Sequence, residues 1–166
     1  MGAGVLPLSI YKNTIFLLLG QERHNGLWSD FGGSAIKGET KLDTAIREGY
    51  EELNGFLGSK QEMKNYLANN LLMELDNRDR YTTFVFKTKY SKSLPILFSK
   101  NNLFIEENLD KQLVNGKNGL FEKKNIKWFP IHYFENSENR RIIRPYYYPI
   151  IETIINNKDI IYSDLR

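Results

Sequence analysis

Near the start of the chain the apolar residues fall in short, β-rich runs. "GVLPLSI" and "TIFLLLGQE", separated by "YKN", predict two strands joined by a turn and entering the core. The next stretch, "RHNGLWSDFGGSAIKGE", is crowded with Gly, Ser, Asn and Asp and predicts a loop with at most a brief strand. A helix follows: Thr40 with Asp43 has the pattern of a capping box, and Asn54-Gly55 tolerates the left-handed backbone that ends a helix. "SKQEMKNYLANN" predicts a second, shorter helix, and "LLMEL" and "YTTFVFKTK" predict strands around the charged turn "DNRDR". "FSKNNLFIEENLDKQLVN" fits neither period. "GLFEKKN" and "IKWFPI" read as strands, and "RPYYYPIIETIINN" as a C-terminal helix with Pro145 near its start. Strands on both sides of one strong helix, with another helix at the end, predict an α/β fold, a mixed sheet covered by helices.

The strong helix has an unusual polar face. At about 100° per residue, Leu42, Ile46, Tyr50 and Leu53 fall on one side, with Ala45 and Gly49 at its edge. Glu48, Glu51 and Glu52 fall on the other, within an arc of roughly 100°. Like charges one turn apart repel by a few tenths of a kcal/mol per pair, so the block calls for a compensating cation. Hard divalent ions suit carboxylate oxygens, and Mg²⁺ or Mn²⁺ keeps waters and substrate phosphates among its ligands. In isolation three glutamates on a helix are more often solvated surface. The preceding Gly32-Gly33, which lets backbone approach a ligand closely, and Glu39, which can reach back to that loop, favour the metal.

Length and composition narrow the classes. The 166 residues suffice for a single domain spanning 1–166, and a hydrophobic fraction of 41% is enough for an ordinary core. The absence of cysteine excludes disulfides, thiolate metal sites and cysteine nucleophiles. The formal charge of +3 is spread along the chain and permits a polyanionic partner without demanding one. Pro7, Ser9, Lys12 and Asn13 interrupt the first apolar runs, which therefore read as neither signal peptide nor membrane span. A cytoplasmic protein without a membrane partner is the expectation.

The segment "GGSAIKGETKLDTAIREGYEELNG" resembles the Nudix box, G-x5-E-x7-R-E-U-x-E-E-x-G-U with U a bulky apolar residue. Gly33, Glu39, Arg47, Glu48, Glu51 and Glu52 all stand at the required spacing. Departures occur at Gly49 and Gly55, where apolar residues are expected, and at Asn54, which replaces the late glycine. A glycine inside a helix costs about 1 kcal/mol against alanine, so Gly49 raises a question about packing. The resemblance implies an α/β/α sandwich of the Nudix (MutT-like) hydrolases, which cleave a diphosphate linkage in a nucleoside diphosphate derivative with divalent metal and water. It implies metal ligation by Glu51 and Glu52, with Glu48 as ligand or base, a backbone carbonyl near Gly32 and Gly33, orientation by Arg47 and bracing by Glu39. Many members add a carboxylate from beyond the box. Glu122 is the candidate here, with Glu106 and Glu107 as rivals.

Substrate candidates are Arg23, Trp28, Phe31, Tyr81 and Lys87: aromatics to stack on a base and cations to steer phosphates. Phe84 shares the reading of Tyr81 and Lys89 that of Lys87, and His24 and His132 have no ligand-like partner. "NRRIIRPYYYP" has the composition of a nucleic-acid contact but reads better as a helix start packed on a sheet. The implied substrates are a nucleoside triphosphate, a dinucleoside polyphosphate, a nucleotide sugar or ADP-ribose. The alternatives are hydrolysis of the 5′ cap of RNA, suggested by the pI near 8.9, and a catalytically silent nucleotide-binding module. The resemblance also allows a homodimer.

Overall fold

β1 (Gly2–Tyr11) and β2 (Thr14–Glu22) form the expected hairpin. Lys12 and Asn13 turn it with φ of 48° and 60°, the backbone sense that matches right-handed strand twist. The computed structural model describes residues 1–78, 80–109 and 120–165. Beyond the hairpin the two strands diverge. β3 (Trp28–Ser29) pairs with Gly20 and Gln21 of β2, and β4 (Phe31–Ser34) pairs with Gly2–Val5 of β1. The segment predicted as a loop therefore supplies two short strands to the gap between β1 and β2.

Two helices, α1 (Lys41–Glu52) and α2 (Lys60–Asn70), follow, each opened by a complete capping box. β5 (Leu71–Asn77) and β6 (Tyr81–Lys87) form an antiparallel pair, and β6 runs parallel to β1 on its other edge. The ambiguous apolar stretch belongs to α3 (Ser93–Asn108), and its positions 110–115 lie outside the described residues. Where two strands were expected, a single β7 (Lys123–Pro130) pairs with β2. The expected C-terminal helix is α4 (Tyr148–Asn156), entered through a 3-10 turn at Pro145–Tyr147, and a further helix, α5 (Lys158–Leu165), follows it.

The mixed sheet thus runs β7-β2-β1-β6-β5, with β3 and β4 between the splayed ends of β2 and β1. Alternating residues feed two cores. Ala3, Val5, Leu18, Phe84 and Phe86 pack against Ala45, Ile46, Met63, Leu67 and Phe98 of the first three helices. Leu6, Leu8, Leu17, Leu19 and Val85 pack against Ile150, Ile151, Ile154, Ile161 and Leu165 of the last two. This is an α/β/α sandwich. Among the described residues no helix is long and apolar enough to cross a membrane.

The buried face of α1 differs from the expected stripe. It is centred on Thr44, Ala45, Ile46, Gly49 and Glu52, while Leu42 and Tyr50 are only partly covered. Gly49 explains the rotation. A Cβ there would lie 2.5 Å from Val5 Cγ2 and 3.2 Å from Met63 Sδ. The helix rests so closely on β1 that no side chain fits, which is why a bulky residue is absent at this point of the motif.

Candidate active site

Arg47 organises the carboxylates of α1. Its Nε donates to Glu39 Oε1 at 2.7 Å, and its Nη2 to Glu39 Oε2 and the Ser34 carbonyl at 3.0 and 2.9 Å. Its Nη1 donates to Glu48 Oε1 at 2.8 Å and Glu51 Oε2 at 3.2 Å. One guanidinium thus relieves the crowding that the sequence leaves unexplained. Glu39 also accepts from the Ile36 amide and the Thr44 hydroxyl, and together with Arg47 these hold its carboxyl down to about 2. Hydrogen bonding to Glu39 raises the Arg47 pKa in turn. Glu39 therefore braces loop against helix.

Glu48 reaches β4. Its carboxylate lies where a side chain on Gly33 would begin, since a Cβ at Gly33 would meet the Glu48 carboxylate oxygens at 2.6 and 2.7 Å. Only glycine gives the carboxylate this seat. Burial pushes the Glu48 pKa up against the pull of Arg47, and the charges of Glu51 and Glu122 add to the rise. Glu122 thus stands within electrostatic reach of the helix, just ahead of β7. Its rivals differ: Glu106 is paired with Arg23, and Glu107 is exposed on α3.

Glu52 points inward. It is buried, its Oε2 accepts from the Gly32 amide at 2.6 Å, and its Oε1 lies 3.4 Å from Lys123 Nζ. The strand ladder explains the amide. Ala35 N donates to Met1 O, so the alternation of an antiparallel pair commits Gly33 to Ala3 and turns the N–H and C=O of Gly32 away from β1. The carbonyl available to a ligand is therefore that of Gly32 rather than that of Gly33.

Beneath Glu52 lies a buried polar network that sequence reasoning missed. Lys123, fully buried, donates to Glu22 Oε1 at 2.5 Å and to Ser29 Oγ at 3.1 Å, and Arg144 donates to the same Glu22 oxygen at 2.9 Å. Burial alone would raise the Glu22 carboxyl, yet Lys123 and Arg144 hold it below its usual range. Burial likewise opposes the Lys123 ammonium, which Glu52 and Glu22 keep above its ordinary value. Burial drives Glu52 well upward in spite of Lys123. Asp30, also fully buried, accepts from the Tyr81 and Thr83 hydroxyls at 2.9 Å each, and burial raises it to about 6. Glu22 and Lys123 are directly paired positions on β2 and β7. Opposite charges at matched strand ends are the one signal that could have revealed them.

The expected substrate residues scatter. Phe31 is fully buried and presents no face to a ligand. Lys87 pairs in register with Leu8, five residues beyond Ala3 and so about 16 Å along the strands from Gly33. Trp28 packs edge-on against Phe129, Phe84 lies in the core, and Arg23 is occupied by Glu106 and the Phe121 carbonyl. Tyr81 alone of this group lines a cleft of about 600 Å³ floored by Gly32 and Gly33. Arg144 and Tyr146, from the segment read as helix-start packing, line its far wall. Among the described residues no three acidic or histidine side chains converge into a ready-made metal cage.

The fold has counterparts among solved structures. The C. elegans Ap4A hydrolase in a binary complex superposes with a TM-score of 0.54 at 16% identity, covering 98% of this chain and 96% of that one. A bifunctional NMN adenylyltransferase/ADP ribose pyrophosphatase from Francisella tularensis, complexed with AMP and a Mn ion, gives 0.56 at 20% identity. That match covers 93% of this chain and 41% of the longer one. A chain from Listeria monocytogenes assigned by name to the NUDIX hydrolases gives 0.51 at 10% identity, over 98% and 96% of the two chains. The fold is the Nudix fold. No family model matches the sequence, and no curated protein matches it.

Proposed function

We propose that the protein is a divalent-metal-dependent pyrophosphohydrolase that cleaves a diphosphate linkage in a nucleoside diphosphate derivative. The observation that carries this reading is the grouping of Glu48 and Glu51 on one guanidinium, beside Gly33 of β4, whose missing side chain leaves room for the Glu48 carboxylate. The donors fit Mg²⁺ or Mn²⁺. Glu48, Glu51 and the outward-facing Gly32 carbonyl offer hard oxygens, and such ions complete their shells with water and substrate phosphates rather than a full protein cage. Bound there, the ion supplies acidified water and neutralises phosphate charge.

The chain's own residues account for the remaining work. Arg47 can yield its Nη1 contacts to a cation because Nε and Nη2 keep it anchored on Glu39 and Ser34. Glu52 fixes the Gly32 peptide, and with it the direction of the carbonyl. Glu122 is the candidate to accept a proton from the attacking water, since its charge is already felt at Glu48. The test is a panel of diphosphate-linked nucleotides and capped RNA, incubated with Mg²⁺ or Mn²⁺, with the cleaved bond identified. Metal-dependent release of a nucleoside monophosphate supports the reading. Tight nucleotide binding with no product across the panel would show a silent binding module instead.

A further inference from the structure

The carboxylates account for one side of β4. On the other side, the cleft floored by Gly32 and Gly33 has a volume typical of small-molecule sites. One wall is Asn77 and Arg78 at the end of β5 with Arg80 just ahead of β6. The facing wall is Arg144 and Tyr146. The Asn77 side-chain amide ties the walls together by donating to the Tyr146 carbonyl at 2.7 Å, and the Gly2 amide of β1 holds the Arg80 carbonyl at 2.9 Å. None of the described lining residues is acidic. Arg144 is engaged by Glu22 and lies over the Tyr146 ring at 4.8 Å. Arg78 and Arg80 are exposed, and among the described residues neither meets a carboxylate.

Resting on the hydrolase reading, the charge of the scissile diphosphate is met beside Glu48 and Glu51. Arg78 and Arg80 lie across the glycine floor from there, so they answer negative charge elsewhere on the ligand. A neutral sugar beyond the diphosphate gives them nothing to bind, whereas guanidinium forks match phosphate oxygens closely. We propose that this cleft receives phosphates beyond the scissile linkage, so that the substrate is a nucleoside or dinucleoside polyphosphate rather than a nucleotide sugar or ADP-ribose.

The experiment is equilibrium titration in EDTA, where metal-dependent turnover stops, with adenosine 5′-tetraphosphate and ADP-ribose as probes. The expected result is at least about tenfold tighter binding of the tetraphosphate, falling below about threefold in Arg78→Gln/Arg80→Gln. Lys124→Gln/Lys127→Gln, which removes equal charge from the exposed side of β7, should keep the full preference. Equal affinity for the two probes in the unmodified chain, or the same loss in the lysine control, overturns the proposal. A preference that persists in a chain yielding no product with Mg²⁺ overturns the hydrolase reading and leaves the cleft assignment standing.

Discussion

Replacing Gly49 by alanine tests how α1 meets the sheet. On an exposed helix the change stabilises by about 1 kcal/mol, because glycine pays the larger conformational cost. Here the new methyl would sit 2.5 Å from Val5 Cγ2 and 3.2 Å from Met63 Sδ. Met63 is unbranched and can move, whereas Val5 is fully buried, β-branched and held in β1. Overpacking of a tight core typically costs 1–3 kcal/mol, so the balance is a net loss of about 1 kcal/mol. For a chain of this size that lowers the melting temperature by roughly 2–4 °C. The assay is urea unfolding of a double-mutant cycle with Val5→Ala. Val5→Ala alone should cost roughly 2 kcal/mol through lost burial and the cavity left behind. In that background the alanine methyl has room, and Gly49→Ala should stabilise by about 1 kcal/mol. A stabilising Gly49→Ala in the unmodified chain would refute the close approach.

Lys123→Met leaves Glu22 and Glu52 buried without their shared cation and should cost about 3–5 kcal/mol in urea unfolding; a loss under about 1 kcal/mol would contradict the buried network. Asp30, displaced from 3.8 to about 6 by burial, binds its proton more tightly when folded. Its contribution is therefore present below pH 4 and lost as pH rises through about 6, a fall of roughly 3 kcal/mol that Asp30→Asn should flatten. Identical stability-against-pH curves for the two chains would remove Asp30 from the account.

What was legible in the sequence was local. The hairpin, the capping box of α1 and the left-handed Asn54-Gly55 exit depend on neighbours along the chain and stand as expected, and the same local spacing brings Glu39, Glu48 and Glu51 onto Arg47. Glu52 was read as part of an outward arc. Its burial depends on Lys123, which periodicity around one helix cannot weigh. α3 escaped because Ile96, Leu97, Leu103 and Phe104 are exposed apolar residues that blur its period. The aromatic candidates failed for a similar reason: Phe31 and Phe84 show the same composition whether they stack on a base or fill a core. The cleft joins Arg78 and Arg80 to Arg144 and Tyr146, a juxtaposition created by the sheet and by the segment ahead of α4.

Whether the carboxylates of α1 hold a catalytic metal is decided by comparing the unmodified chain with Glu51→Gln in Mg²⁺-dependent turnover of the best substrate from the nucleotide panel. Glu51 is only partly buried, its Lys60 partner is exposed, and Arg47 keeps its anchors on Glu39 and Ser34 without it, so the variant should unfold within a few degrees of the parent. Product formation should disappear in EDTA and fall at least about a hundredfold in Glu51→Gln. Equal turnover by the two chains, or turnover indifferent to metal, would contradict a catalytic metal at these carboxylates.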